Sequence, residues 1–117
     1  MQSFEKLTVW RGARALVNAV YDASGGFPIE ERFGITSQIR RAAVSVAANI
    51  AEGSSRSTSR DFARFLDIAI GSVNEVHCLA LIAEDRRFLS PATSALVIRQ
   101  IRVLRAQLVR LLQAVRA

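Results

Sequence analysis

Residues able to do bond-making chemistry are few in this chain and poorly spaced. A nucleophile needs a base within hydrogen-bond reach, yet the only histidine and the only cysteine are neighbours, His77 and Cys78. Successive side chains on a helix diverge by about 100°, so the two cannot form a dyad within one chain. The expected roles are a helix-surface or groove residue for His77 and a semi-buried small apolar residue for Cys78. Carboxylate metal sites in helical bundles use several inward glutamates with Glu-x-x-His pairs. Here Asn74, not Glu, stands three residues before His77, and Glu52 and Glu75 are the only mid-helix glutamates near the expected core. Gly25-Gly26 lacks the GK[ST] context of a phosphate loop. The sequence therefore predicts no enzyme, no metal and no cofactor.

Two polar patterns remain. Gln38, Arg41, Ser45, Asn49 and Glu52 fall within a sector of about 80° on a helix otherwise rich in Ala, Val and Ile. Such a stripe is either a narrow solvent face or a set of short polar groups meeting partners between helices or subunits. Ser and Asn in place of long Lys and Glu favour close approach, where buried polar atoms must be paired. The next helix offers Gly71, Ser72 and Glu75 on one side, with Gly71 removing bulk and Glu75 a natural ion-pair partner for Arg41. Separately, the segment from Arg86 to the end holds seven arginines and no acid. Arg99, Arg102 and Arg110 share one side of the last helix, with Arg105 and Arg116 flanking, as a basic ridge about 25 Å long. Arg56 and Arg60 add cations before the third helix. Arginine forks suit phosphate or carboxylate, so the ridge fits a polyanion. It equally fits a solvated face or a set of ion pairs to a neighbouring subunit. No aromatics are interleaved with it, so sequence-specific reading of a single strand through the ridge is not supported.

The elements that must position these groups are four helical segments separated by Gly and Pro. The first spans about Ser3 to Ala23, with Phe4, Leu7, Trp10, Val17, Val20 and Tyr21 on its apolar face, and ends at Gly25-Gly26. PIEERFG predicts a single helical turn. Thr36 is the expected cap of the second helix, which presents Ile39, Ala42, Ala43, Val46 and Ile50 and stops at Gly53. The third starts near Ser59 with Ser57, Thr58 or Ser59 as cap and buries Phe62, Phe65, Leu66, Ala69, Val73, Val76, Ala80 and Ala83. Ser90-Pro91 opens the fourth, whose Val97, Ile101, Leu104, Leu108, Leu111 and Val115 form a heptad seam. No segment alternates like a strand. Short connections join antiparallel neighbours, so the expected architecture is all-α: a single antiparallel up-down-up-down four-helix bundle over residues 1–117.

Composition agrees. The 117 residues suit one domain, and 50% hydrophobic content supplies a core. The net charge is +6, and fifteen of the sixteen cations are arginine, Lys6 being the exception. An anionic partner and an Arg-favouring codon composition both produce that balance. One cysteine excludes an intramolecular disulfide and a cysteine metal cage. With charges inside the first twenty residues and no uninterrupted apolar run of about 18, the expectation is a cytoplasmic protein without a membrane partner.

The stretch FGITSQIRRAAVSVAANIAEGSSR, followed by DFARFLDIAIGSVNE, resembles a small bacterial family of four-helix-bundle proteins. That family includes the proteins encoded within intervening sequences of 23S ribosomal RNA genes, and its relatives include accessory proteins of diversity-generating retroelements. The likeness extends through FEKLTVWRGARALVNAVY, Phe27-Pro28 and Glu31, and weakens after about Leu89. It implies a homo-oligomer, a five-fold ring, that binds structured RNA or a nucleic-acid-handling partner and has no catalytic activity. Arg41, Ser45, Asn49, Glu52, Gly53, Ser72 and Glu75 occupy the motif positions, as structural groups. Val46-Ala47-Ala48 replaces a stretch that more usually reads like Ile-Pro-Ser, so the second helix should run straighter. The functional expectation is an RNA-binding bundle, with a protein-interaction scaffold as the alternative.

Overall fold

Cap chemistry sets where the helices begin. The computed structural model describes residues 3–117, with α1 at Thr8–Ser24, α2 at Ile35–Ser54, α3 at Ser59–Asp85 and α4 at Pro91–Arg116. Single 3-10 turns lie at Phe4–Lys6 and Ile29–Glu31. Thr58 accepts the Asp61 amide at 3.1 Å to start α3, and Ser90 accepts the Thr93 amide at 3.1 Å to start α4, with Pro91 in its first turn. Two starts differ from expectation. Leu7 is extended (φ −74°, ψ 129°), so α1 begins after it rather than at Ser3. The cap position of α2 is Gly34, not Thr36. Thr36 lies inside the first turn, buried, and the Glu31 carboxylate instead accepts the Ile35 amide at 3.5 Å. The α3 terminus closes with Arg87 at φ 62°, the left-handed position of a Schellman turn, the Phe88 amide returning to the Ala83 carbonyl at 2.8 Å.

Each helix packs on its two neighbours around a square, and the diagonal pairs α1/α3 and α2/α4 make no backbone contact among the described residues. Polar contacts give the direction: Asp67, Asn74 and Glu84 along α3 meet Arg116, Arg105 and Ser94 backwards along α4. The result is the antiparallel up-down-up-down bundle, 43 × 23 × 20 Å, about one helix long and two wide. α2 is continuous through Val46-Ala47-Ala48.

One core runs through all four helices. On α2 the buried strip is Ile39, Ala42, Ala43, Val46 and Ile50, and on α3 it includes Leu66, Val73, Val76 and Ala80. Each fully buried Leu, Ile or Val stabilises by about 1.5–3 kcal/mol. The α1 strip is a correction: Val9, Ala13, Leu16 and Val20 are buried, while Trp10 and Val17 are only partly so and Tyr21 is 43% exposed. The reason is phase: Val9, Ala13, Leu16 and Val20 recur at helical spacing one residue out of step with Trp10, Val17 and Tyr21, so the core takes the first strip and the second lies along the rim beside α2. The bulky rings ride on the rim, Phe4 edge-on to Trp10 at 4.9 Å. Phe62 and Phe65 are likewise half-buried, and at the end of α4 Leu112 takes the core place expected of Leu111 and Val115. By length and composition α3 is long and apolar enough to cross a membrane. Its apolar strip is here buried in the core shared with α2 and α4.

Candidate nucleic-acid interface

The basic ridge is built by α4, whose seam Val97, Ile101, Leu104 and Leu108 is buried and so turns the intervening arginines outward. Arg99, Arg102 and Arg110 are exposed, and none of the three ion pairs among the described residues uses them. Its flanking members are occupied within the chain. Arg116 pairs with Asp67 at 2.5 Å, and Arg105 donates to Asn74 Oδ1 at 3.0 Å and contacts His77 Nδ1 at 3.2 Å. Burial pushes the His77 imidazole below its usual range, and the cations Arg105 and Arg102 push it the same way. Because a guanidinium can only donate, Nδ1 is the acceptor in the contact with Arg105. Cys78 is exposed, not semi-buried. No group of three or more His, Cys, Asp or Glu among the described residues could hold a metal ion.

The arginines before α3 divide the same way. Arg56 pairs with Glu52 and lies over the Phe65 ring at 5.0 Å. Arg60 is exposed and lines a groove of about 670 Å³ between the start of α3 and the end of α4, together with Asp61, Arg64, Asp67 and Arg116. Two acids in that groove, Asp61 and Asp67, stand against its three cations and leave it only weakly positive. Of these seven arginines, Arg99, Arg102, Arg110 and Arg60 are exposed and make no ion pair or side-chain hydrogen bond among the described residues, so the open part of the α4 ridge is a shorter patch than the sequence suggests. Asp67, Asn74 and His77, which tie down the rest, escaped sequence reasoning because they belong to another helix.

The polar stripe of α2 meets α3. The Ser45 and Ser72 hydroxyls lie 2.9 Å apart, and Asn49 Nδ2 donates to the Ser45 carbonyl at 2.8 Å and to Ser45 Oγ at 3.0 Å. Pairing between helices is therefore what Ser45 and Ser72 do, while Asn49 holds Ser45 from within α2. The expected Arg41–Glu75 pair does not form. Both residues are exposed, and Arg105 is drawn to Asn74 rather than to Glu75. Gly71 is open to solvent with nothing near its missing Cβ, so it permits no close approach. Gly53 does, from inside α2 rather than as its terminator: a Cβ there would stand 2.7 Å from Phe65 Cβ and 3.0 Å from Phe62 Cδ1.

The α2 and α3 residues that make these contacts all lie within the span matched by one family profile. The profile described as 23S rRNA-intervening sequence protein matches residues 5–110. The chain belongs to that family. The match covers most of α4, where the resemblance read from the sequence had weakened. A solved structure of similar shape is a protein of unknown function from the S23 ribosomal protein family of Bacteroides thetaiotaomicron, with a TM-score of 0.83 and 18% identity over 90% of this chain and 98% of that chain. At that identity the likeness carries the fold of this family member. No curated protein matches the chain.

Proposed function

We propose that this intervening-sequence-family protein is a non-enzymatic, cytoplasmic, homo-oligomeric bundle that binds structured RNA, or another nucleic acid, through the outer face of α4. The observation carrying the reading is the exposed triad Arg99, Arg102 and Arg110 with no acid paired to it, on a chain of net charge +6. Phosphate neutralisation by such residues gives affinity without base specificity. Association of copies is supported by apolar side chains left outside on the other helices, among them Val44 at 44%, Ile68 at 42% and Leu81 at 45% exposure. The family resemblance sets the expected number of copies at five.

Binding of a labelled RNA hairpin, followed across salt concentrations, tests the first part. Log affinity should fall linearly with log salt, and Arg99→Gln plus Arg102→Gln should flatten the slope by about two. A flat salt response in the unaltered protein refutes the reading.

The scaffold alternative is favoured by exposed carboxylates, Asp22, Glu30, Glu75 and Asp85, that take part in no ion pair among the described residues. Light scattering of Arg99→Glu plus Arg102→Glu separates the two. Loss of assembly identifies pairing across subunits, whereas intact assemblies that no longer retain RNA identify phosphate binding.

A further inference from the structure

A second basic site lies far from α4, where the 3-10 turn at Ile29–Glu31 leads into α2. A groove of about 650 Å³ opens there, lined by Tyr21, Arg32, Phe33, Thr36, Arg40 and Arg41 among others. Three features of it have no internal explanation. Phe33 is 85% exposed, the most exposed of the large apolar side chains, in a chain whose other rings are at least half covered. Arg32 lies over one face of that ring, its Cζ 4.9 Å from the centroid, which leaves the opposite face open. Thr36 is only 9% exposed, and its Oγ1 has no hydrogen-bond partner among the described residues. A buried hydroxyl in that condition is rare and expensive, and Thr36 borders this groove although its Oγ1 is covered.

The cations are arranged for an anion. Arg40 is held in place, with Nε donating to the buried Ser24 Oγ at 2.8 Å and Cζ 4.5 Å above the Tyr21 ring. Arg32 and Arg41 are exposed and join no ion pair among the described residues. The opposing charge beside them is Glu31, whose carboxylate is turned to the Ile35 amide. An excess of guanidinium next to an open aromatic face is the pairing that single-stranded nucleic acid requires, phosphate on the cations and a base on the ring. A second copy of the chain is the poorer occupant, since it brings a net charge of +6 to a positive groove.

We infer that this groove holds one unstacked nucleotide of a single-stranded nucleic acid, its base on the free face of Phe33 and its phosphate on Arg32 and Arg41. The inference rests on the nucleic-acid reading above and adds a second, separately testable site to it. The ridge on α4, lacking aromatics, takes the backbone of a folded RNA. The groove takes an extruded base, and so a preference for loops or single strands over uninterrupted duplex.

The test uses fluorescence anisotropy with a labelled ten-nucleotide RNA, the DNA of the same sequence, and the RNA as a duplex. Stacking on one ring predicts that Phe33→Leu, which keeps an apolar side chain but removes the π face, weakens single-strand binding by roughly 5- to 100-fold and leaves the duplex unchanged. Arg41→Gln should weaken the single strand with a flatter salt dependence. Equal losses for RNA and DNA identify base and phosphate as the recognised groups, and a loss confined to RNA adds the 2′-hydroxyl; both support the site. Single-strand affinity unchanged by Phe33→Leu overturns it, as does an equal loss for duplex. A change in assembly mass on Phe33→Leu at unaltered affinity overturns it in favour of a second copy. Failure here with a salt-dependent, Arg99- and Arg102-dependent hairpin affinity removes the groove alone, whereas absence of any binding at low salt removes both sites.

Discussion

Replacing Gly53 with alanine should destabilise this protein, against the ordinary preference of helices. Inside a helix glycine is about 1 kcal/mol worse than alanine, through its greater loss of backbone freedom. At Gly53 that gain meets a collision. The new Cβ would stand 2.7 Å from Phe65 Cβ and 3.0 Å from Phe62 Cδ1. The Phe62 ring can rotate aside, but Phe65 Cβ is attached directly to the α3 backbone, so α2 and α3 must separate beside their connecting turn. Inserting a carbon into packed structure costs about 1–3 kcal/mol. Set against the propensity gain, the net loss is about 1 kcal/mol, or about 3–6 °C in Tm for a chain of this size. Gly71→Ala on α3 is the matched control, because nothing lies within 4 Å of its added Cβ. The same substitution should there stabilise by about 1 kcal/mol. Urea and thermal unfolding followed by far-UV circular dichroism read both. A Gly53→Ala protein as stable as the parent or more so would refute the close-approach argument.

Asn49→Leu removes the donor to Ser45 and should lower stability by about 1 kcal/mol; an unchanged Tm would make the Ser45–Asn49–Ser72 contact energetically idle. Arg87→Gly relieves a side chain in the left-handed region and should stabilise by about 0.5–1 kcal/mol, read from the urea midpoint. His77 has a folded pKa below its ordinary 6.5, so the unfolded chain binds more protons as pH drops and folding stability is lost below about pH 6.5. Between about pH 7.5 and pH 6 the urea midpoint of the parent should therefore fall more than that of His77→Gln, and parallel curves would contradict the assignment.

Much of the architecture is legible in the residues because local signals and packing agree. Ser90-Pro91 and Thr58 start helices where their chemistry says they should, and the α2 strip lies in phase with its period. The α1 face fails because two apolar strips lie one residue apart in phase, and the less bulky one, with Ala13 and Leu16, is the one that turns inward. Thr36 reads as a cap by type, but Gly34 leads into the helix two residues earlier and leaves the hydroxyl inside. At the candidate sites the exposed arginines of α4 follow from the seam, whereas the ion pair of Arg116 with Asp67 and the contacts of Arg105 with Asn74 and His77 are set by the register between helices. The Phe33 groove has no signature along the chain, since Tyr21 and Arg40 come together only when α1 and α2 dock.

The square arrangement without diagonals bears on how the chain finds its structure. Three of its four interfaces join helices consecutive in the chain, so each needs closure of a short loop and little entropy. Only the α1–α4 seam brings remote segments together, late, onto a surface already half assembled. Such local wiring is the hallmark of chains that fold within microseconds to milliseconds, and it leaves little time for a newly made, arginine-rich last helix to be captured by a wrong partner.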